Sequence, residues 1–209
     1  MLLDEISLKL QAGRAKDVEA LVQQAIDENI PVQDILTKGL LSGMDVIGAK
    51  FRDGEVFIPE VLVAARAMNK GVALLKPYYA ASGVKAVGKA CVGTVQGDLH
   101  DIGKNLVKLM LESKGFEVID LGTDVTPEMF VKTAIEENCS VIGCSALLTT
   151  TRGVMADVVK AAEAAGIRDK VKIMIGGAAV SREFCEEIGA DIYTVDAASC
   201  SEKALAAVN

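Results

Sequence analysis

Short apolar runs that alternate with helical stretches constrain the fold of residues 89–209 more than any other feature of this sequence. A stretch with helical character follows each run. Strands that alternate with helices pair in parallel, because each helix carries the chain back across one face of the sheet. The sequence therefore predicts a five-stranded parallel sheet covered on both faces. The predicted strands are Lys89–Val95, Val118–Leu121, Val141–Ser145, Val171–Gly176 and Ile192–Val195.

The expected strand order places two unusual loops side by side. In the flavodoxin-like (Rossmann-like) order 2-1-3-4-5, ligands bind beyond the carboxyl ends of strands 1 and 3. The loop after strand 1 carries His100, the only histidine of the chain, within the glycine-containing run Gly97–Asn105. The loop after strand 3 is the hydroxyl-rich segment Ser145–Thr151. We therefore expect the two loops to meet at the ligand site and the function to depend on His100.

Residues 1–79 show helical periodicity only. Apolar side chains recur on one face near Leu3–Leu10, over Ala15–Glu28, after Pro31 and from about Ile58. Four such helices predict a four-helix bundle. Residues 80–88 are small and weakly patterned, which is typical of a linker. The predicted organisation is a helical domain at 1–79, a linker at 80–88 and an α/β domain at 89–209.

The composition argues against several classes of protein. A net charge of -7 is unfavourable for a nucleic-acid surface, which needs clustered Lys and Arg. No apolar run approaches membrane-spanning length, and the early acids of Met1–Glu5 are unlike a signal peptide. The five cysteines form no Cys-x-x-Cys pair, so we interpret Cys91 and Cys144 as buried structural thiols. We expect a cytoplasmic protein that binds neither nucleic acid nor membranes.

The spacing of the His100 loop is only superficially that of a phosphate-binding P-loop. Five residues separate Gly97 from Gly103-Lys104, where the P-loop motif has four. Asn105 also replaces the Ser or Thr that binds magnesium in that motif. The sequence therefore argues against a P-loop.

Two other interpretations of the loop stay open on the residues alone. Asp98, His100 and Asp101 could bind a divalent metal, although the chain has no second histidine and no cysteine near in sequence. An isolated histidine is by default a structural residue with satisfied hydrogen bonds. The loop position and the flanking carboxylates favour a functional role over that default.

Small residues also recur where strands 4 and 5 end. Gly176-Gly177-Ala178-Ala179 follows strand 4, and Asp196–Ser199 follows strand 5. Together with Ser145–Thr151, these residues would leave a slot open beside the edge of the sheet. A flat or elongated ligand could lie in such a slot.

Three spaced motifs resemble the signature of base-off cobalamin-binding domains: Asp98-x-His100-x-x-Gly103, Ser145-x-Leu147 and Gly176-Gly177. The chain is similar to the corrinoid proteins of bacterial and archaeal methyltransferase systems, and to the cobalamin module of methionine synthase. The resemblance extends into the helical part through Gly43–Gly48 and Gly54–Val61, so it covers nearly the whole chain.

The resemblance implies a role for each matching residue. His100 would be the axial cobalt ligand, in place of the cofactor's own nucleotide base, and Asp98 would hydrogen-bond to its imidazole. The family's relay ends in a serine, and Thr151 stands at that position. Phe51 and Ile58 match the cap residues that cover the upper face of the corrin, the second of which is usually Leu. The other implied cofactor-binding residues are Gly97, Asp101, Ile102, Gly103, Ser145, Leu147, Thr149, Gly176, Gly177 and Ala197.

The function implied by the resemblance is that of a methyl carrier, with cobalamin or a related corrinoid bound base-off and His-on, and methylcobalamin as the loaded state. A substrate-specific methyltransferase would load cobalt(I) from a phenyl methyl ether, a methylamine, methanol or a betaine. A second methyltransferase would pass the methyl group to tetrahydrofolate or coenzyme M, and a reductive activator would rescue oxidised cobalt(II). The isolated chain would not be an enzyme, and hinge motion across residues 80–88 would admit each partner.

Two rival classes share the His100 motif. The cobalamin domain of an adenosylcobalamin mutase lacks the helical cap with Phe51 and Ile58. A cobalamin-sensing regulator needs an output domain, for which we expect no room in 209 residues. The net negative charge of the chain also disfavours binding to DNA.

Overall fold

The computed structural model describes residues 1–82 and 86–208. The chain divides into two compact units, Met1–Lys85 and Ala86–Asn209. The first unit contains helices only among its described residues, and the second contains the sheet. The predicted α/β class with a helical N-terminal part is confirmed.

The first unit is built from helices that pack through small residues. Its helices are α1 (Leu2–Gln11), α2 (Ala15–Asp27), α3 (Val32–Asp34), α4 (Ser42–Arg52) and α5 (Ile58–Ser82). A π-helical segment, Ile35–Leu41, joins α3 to α4, so the described residues form four continuous helical stretches. Gly39 and Gly43 lie against α1, where a Cβ would come within 3.2 Å of Ile6 and 3.1 Å of Ser7. These glycines therefore allow close packing of the two helices.

The last helix of this unit is longer than predicted. The linker was expected to begin at residue 80, but α5 continues to Ser82. Alanine has the highest helix propensity, so Ala80 and Ala81 extend the helix instead of ending it. Residues 83–85 of the expected linker lie outside the described residues. Residues 86–88 are not helical and lead into the first strand.

The second unit contains one parallel sheet of five strands in the order β2-β1-β3-β4-β5, as predicted. The strands are β1 (Lys89–Val95), β2 (Glu117–Val125), β3 (Val141–Ser145), β4 (Lys172–Gly176) and β5 (Ile192–Tyr193). The helices are α6 (Ile102–Ser113), α7 (Pro127–Glu136), α8 (Val154–Ala164), α9 (Arg182–Glu187) and α10 (Ala197–Val208). A 3-10 turn, Arg168–Lys170, precedes β4.

Hydrophobic side chains cover both faces of the sheet. Phe130 of α7 and Val158 of α8 pack in the cluster that contains Ile173 of β4. The neighbouring strand residue, Met174, belongs to a second cluster with α6 and α10. Successive strand side chains point to opposite faces, so the two clusters lie on the two sides of the sheet. The edge formed by the carboxyl ends of the strands is thereby left free to carry loops.

The second strand differs most from its prediction. It extends beyond Val118–Leu121 at both ends. Asp120 pairs with Val92 and Gly122 pairs with Gly93, so Leu121 is an extra residue in a β-bulge. Asp and Gly are poor strand formers, which hid the second half of this strand in the sequence.

Two further predictions can be compared with the structure. Cys91 and Cys144 are both buried and form no disulfide, which confirms their interpretation as structural thiols. Over residues 1–82 and 86–208, no helix combines the length and the apolar character needed to cross a membrane.

Candidate functional site

A buried carboxylate holds the only imidazole of the chain at the carboxyl end of β1. The segment between Val95 and Ile102 forms a loop in which Asp98 is fully buried. His100 Nδ1 lies 2.7 Å from Asp98 Oδ1. The His100 main-chain N–H donates to the same oxygen at 3.1 Å. The imidazole itself is 53% exposed, so one edge is bound to Asp98 and the other is open.

The second oxygen of Asp98 connects this loop to the loop after β3. Asp98 Oδ2 accepts hydrogen bonds from the Leu147 N–H at 2.8 Å, from the Leu148 N–H at 3.3 Å and from Thr151 Oγ1 at 2.9 Å. The sequence predicted that these two loops would meet, and the contacts confirm that expectation. The Asp98 carboxylate therefore links the loop after β1 to the loop after β3.

The hydrogen bonds around Asp98 keep its carboxyl group ionised. Burial on its own raises the pKa of the Asp98 carboxyl, but the hydrogen bonds from His100, Leu147 and Thr151 outweigh it and hold the pKa well below its usual range. An ionised carboxylate can only accept hydrogen bonds, so the proton between the two side chains resides on Nδ1 of His100. The Nε2 lone pair is then available to a ligand atom, as in a histidine that binds a metal.

Thr151 joins His100 and Asp98 in a set of three hydrogen-bonded side chains. Its hydroxyl is buried and contacts both Asp98 Oδ2 and, at 3.1 Å, the Leu148 carbonyl. Its Cγ2 methyl lies 3.4 Å from the point where a Cβ on Gly97 would stand. The methyl group therefore packs over the turn at Gly97 while the hydroxyl serves the carboxylate. A threonine fits this position in place of the family's serine.

Removal of the Thr151 hydroxyl is expected to cost more stability than removal of its methyl group. Thr151→Val deletes one donor to a buried carboxylate, and we expect the free energy of unfolding to fall by about 2 kcal/mol. Thr151→Ser keeps the donor and loses one methyl group, with an expected loss of about 1 kcal/mol. Urea unfolding of the cofactor-free protein, followed by circular dichroism, measures both. Equal losses in the two variants would show that the hydroxyl does not support Asp98.

Gly176 ends β4 and Gly177 follows it, and the two positions are glycines for different physical reasons. Gly177 has a φ of +125°, and a Cβ there would collide with the backbone oxygen of Ala146. Gly177 is thus required for close packing of the β4 end against the loop after β3. At Gly176 a Cβ would meet no atom within 4 Å, and the same is true of Gly103 in α6. Open space therefore exists at Gly176 and Gly103, where a bound molecule could approach the backbone.

Most of the other predicted residues lie at this same edge of the sheet. Gly97 forms a turn with a φ of +82°, and Asp101 precedes α6 and accepts a hydrogen bond from Asn105 at 3.1 Å. The side chains of Ile102, Leu147 and Thr149 are exposed, Ser145 is half-buried at the end of β3, and Ala197 is buried at the start of α10.

The two predicted cap residues belong to the first unit. Phe51 is half-buried near the end of α4, and Ile58 is exposed at the start of α5. Their assignment to the upper face of a corrin rests on the resemblance and stays a prediction.

Two residues of the site were not predicted from the sequence. Thr94, fully buried in β1, donates from Oγ1 to the His100 carbonyl at 2.8 Å. Asp124, near the end of β2, accepts from the Gly97 N–H at 2.7 Å. Both residues bind the main chain of the loop, and such contacts leave no spacing pattern in a sequence. The position of Asp124 near the end of a strand could have pointed to it. The Asp and Gly residues of β2 hid that part of the strand in the sequence.

Comparison with known proteins identifies the family of this chain. A B12 binding domain model matches residues 88–205, and a further B12 binding domain model matches residues 2–76. The chain belongs to the B12-binding corrinoid protein family. The resemblance stated from the motifs is thus confirmed, and both units of this corrinoid protein take part in it.

Individual relatives agree with this assignment over almost the full length. A corrinoid protein of Desulfitobacterium hafniense (strain Y51) is 40% identical over 193 residues, covering 91% of this chain and 89% of the relative. The dimethylamine corrinoid protein of Methanosarcina barkeri is 43% identical over 205 residues, covering 97% and 95%. The crystal structure of the methanol:cobalamin methyltransferase complex of the same organism matches with a TM-score of 0.89 at 30% identity, covering 99% of this chain and 79% of that chain.

The residues at the site suit a corrinoid chemically. An imidazole with its Nδ1 bound to a carboxylate and its other nitrogen open is a good ligand for a transition metal. The described residues contain no group of three His, Cys, Asp or Glu side chains that could hold a bare metal ion. His100 would hold the cobalt of a corrinoid, and the corrin ring would supply the other ligands that this one imidazole cannot. The open space at Gly103 and Gly176 suits the approach of a large cofactor.

Proposed function

We propose that this corrinoid protein is a methyl carrier in a multi-component methyltransferase system. The observation that carries the proposal is the Asp98–His100 pair, in which a buried carboxylate fixes Nδ1 and leaves Nε2 free. When bound, the corrinoid supplies a cobalt atom that can take a methyl group from one molecule and give it to another. The chain's own part is to bind the cofactor and to orient the axial imidazole through the bond of its Nδ1 to Asp98.

The cofactor is proposed to bind base-off and His-on, with His100 as the axial ligand. Asp98 and Thr151 would hold the imidazole in the tautomer that presents Nε2. The nucleotide tail of the cofactor would lie along the β3 and β4 ends, where Gly176 borders open space. Ser145 and Thr149 would offer hydroxyl groups to that tail.

The partners are proposed from the relatives and from the resemblance. A dimethylamine corrinoid protein and a methanol:cobalamin methyltransferase complex are among the similar proteins. They support a substrate-specific methyltransferase as the first partner, with a methylamine or methanol as the methyl donor ahead of a phenyl methyl ether or a betaine. The resemblance alone supports a second methyltransferase using tetrahydrofolate or coenzyme M, a reductive activator, and a cytoplasmic location. We propose that the chain turns over nothing without these partners.

His100→Ala tests the ligation directly. Purified protein would be loaded with hydroxocobalamin and reduced to the cobalt(II) state for electron paramagnetic resonance. We expect a nitrogen superhyperfine coupling in the wild type that changes from a triplet to a doublet when histidine is labelled with nitrogen-15, because the cofactor's own base gives a triplet that the label does not change. We expect complete loss of the histidine-derived coupling in His100→Ala, and a corrinoid affinity lower by at least about tenfold. Asn105→Ala, in the first turn of α6, is the control and should keep the coupling. A wild-type spectrum without the coupling would contradict the His-on assignment.

Methyl transfer distinguishes the carrier from the rival classes. The loaded protein would be incubated with dimethylamine or methanol, alone and with the methyltransferase encoded beside it, and formation of methylcobalamin would be followed by absorbance. Methylation that needs the partner supports the carrier. Methylation without a partner would contradict it. Preferential binding of adenosylcobalamin, with no methylation under any condition, would instead favour a mutase domain or a sensor.

A further inference from the structure

We propose that Thr94 and Asp124 are positioning residues that hold the His100 loop from both sides. This inference rests on the proposed function, because it concerns how His100 is presented to the corrinoid. Neither residue belongs to the three motifs that carry the family resemblance. Each binds the main chain of the loop, and together they flank the Asp98–His100 pair.

Asp124 fastens the first half of the loop to the end of β2 with two reciprocal hydrogen bonds. Its Oδ1 accepts from the Gly97 N–H at 2.7 Å, and its own N–H donates to the Asp98 carbonyl at 3.1 Å. Asp124 has a φ of +56°, a conformation that Asp and Asn adopt more readily than most residues. The left-handed turn is what brings both its amide and its carboxylate to the neighbouring loop.

Thr94 fastens the second half of the loop to β1. Its hydroxyl is fully buried and donates to the His100 carbonyl at 2.8 Å. Thr94 pairs with Ser145 in the adjacent strand, so its own backbone is fixed by the sheet. The His100 main chain is therefore bound to a residue that the sheet itself holds in place.

The hydrogen bonds from Thr94 and Asp124 restrict the main chain that carries the imidazole. The side chain of Asp98 is bound to the loop after β3, while its carbonyl is bound to β2 and the carbonyl of His100 to β1. The 2.7 Å contact between His100 Nδ1 and the Asp98 carboxylate requires the main chains of these two residues to keep their relative positions. A loop ordered by its own fold does not have to be ordered when the cofactor binds, which strengthens binding. Thr94 and Asp124 thus act on the cofactor through His100.

Matched variants separate the hydrogen bonds from other effects. Asp124→Gly keeps the positive φ and removes the acceptor, whereas Asp124→Asn keeps an acceptor oxygen and tolerates the same φ. Thr94→Val keeps the shape and removes the donor, whereas Thr94→Ser keeps the donor. We expect Asp124→Gly and Thr94→Val to be impaired and the two conservative variants to behave like the wild type. Urea unfolding verifies that all four are folded.

The first readout needs no cofactor. His100 is the only histidine, so the proton on its Nδ1 can be identified by nitrogen-15 labelling of histidine alone. We expect this proton to exchange with water about fivefold faster in Asp124→Gly and in Thr94→Val than in the wild type. Unchanged exchange in both variants would overturn the inference.

The second readout uses hydroxocobalamin. The affinity should fall by about fivefold in the same two variants, and the cobalt(II) spectrum should show a reduced fraction with nitrogen coupling. Recovery in Asp124→Asn and Thr94→Ser would support positioning, and equal loss in the conservative variants would overturn it. If the wild type itself shows no nitrogen coupling, the proposed function fails, and the exchange rates of the apo protein still decide whether Thr94 and Asp124 hold the loop.

Discussion

Asp98→Ala is expected to lower the free energy of unfolding of the cofactor-free protein by about 3 kcal/mol. The reason is the number of donors that this one carboxylate satisfies inside the protein. The N–H groups of Leu147 and Leu148 and the hydroxyl of Thr151 all point at Asp98 Oδ2. Alanine leaves the two amides without this acceptor, leaves the Thr151 hydroxyl only the Leu148 carbonyl, and releases the loop after β3 from the loop after β1. Urea unfolding followed by circular dichroism, at the transition of residues 86–209, measures the loss.

His100→Ala is the control for this prediction. The imidazole is more than half exposed, so its removal is expected to change the free energy of unfolding by less than about 1 kcal/mol. Asp98→Asn retains one acceptor oxygen and should lie between the two. The expectation is thus that stability depends on Asp98 and cobalt ligation on His100, although the two side chains touch. Equal destabilisation by Asp98→Ala and His100→Ala would refute the structural role given to Asp98.

Gly177→Ala is expected to destabilise the protein by about 3 kcal/mol or more, from two sources that add. A φ of +125° is strained for any residue with a side chain. The new Cβ would also collide with the Ala146 carbonyl, which lies in the chain immediately after β3. Relief of that collision requires the ends of β3 and β4 to separate. The loop that supplies Leu147 and Thr151 to Asp98 would move with them.

Gly176→Leu is the matched variant at the neighbouring glycine. A Cβ at Gly176 meets nothing within 4 Å, so the free energy of unfolding should change by less than about 1 kcal/mol. The side chain would instead occupy the space proposed for the nucleotide tail, and we expect hydroxocobalamin affinity to fall by at least about tenfold. Urea unfolding and cobalamin titration of both variants give the two numbers. Wild-type affinity in Gly176→Leu would rule out a tail site beside this residue.

The two glycines show how a motif can combine unlike requirements. In the sequence, Gly176 and Gly177 form one small-residue pair at the end of a strand. In the structure, Gly177 serves packing against Ala146, and Gly176 borders open space. A substitution at the first position therefore probes binding, whereas one at the second probes the fold.

The sequence alone determined the class of fold, the strand order and the location of the site. These follow from local properties, since the apolar runs and helical stretches of residues 89–209 predict a parallel sheet. The strand order then placed His100 and Ser145–Thr151 at one edge. The motif Asp98-x-His100 indicated the carboxylate–imidazole pair, and the axial role proposed for that pair rests on the family resemblance.

Only the tertiary structure decided how that pair is held. The donors at Leu147 and Leu148 are main-chain amides, which every residue except proline possesses, so no residue type marks them in a sequence. Thr94 and Asp124 also act on main-chain atoms, from strands whose polar residues suggested no role. A buried carboxylate keeps its charge through donors that converge from segments about 50 residues apart, and convergence of that kind is a property of the folded chain.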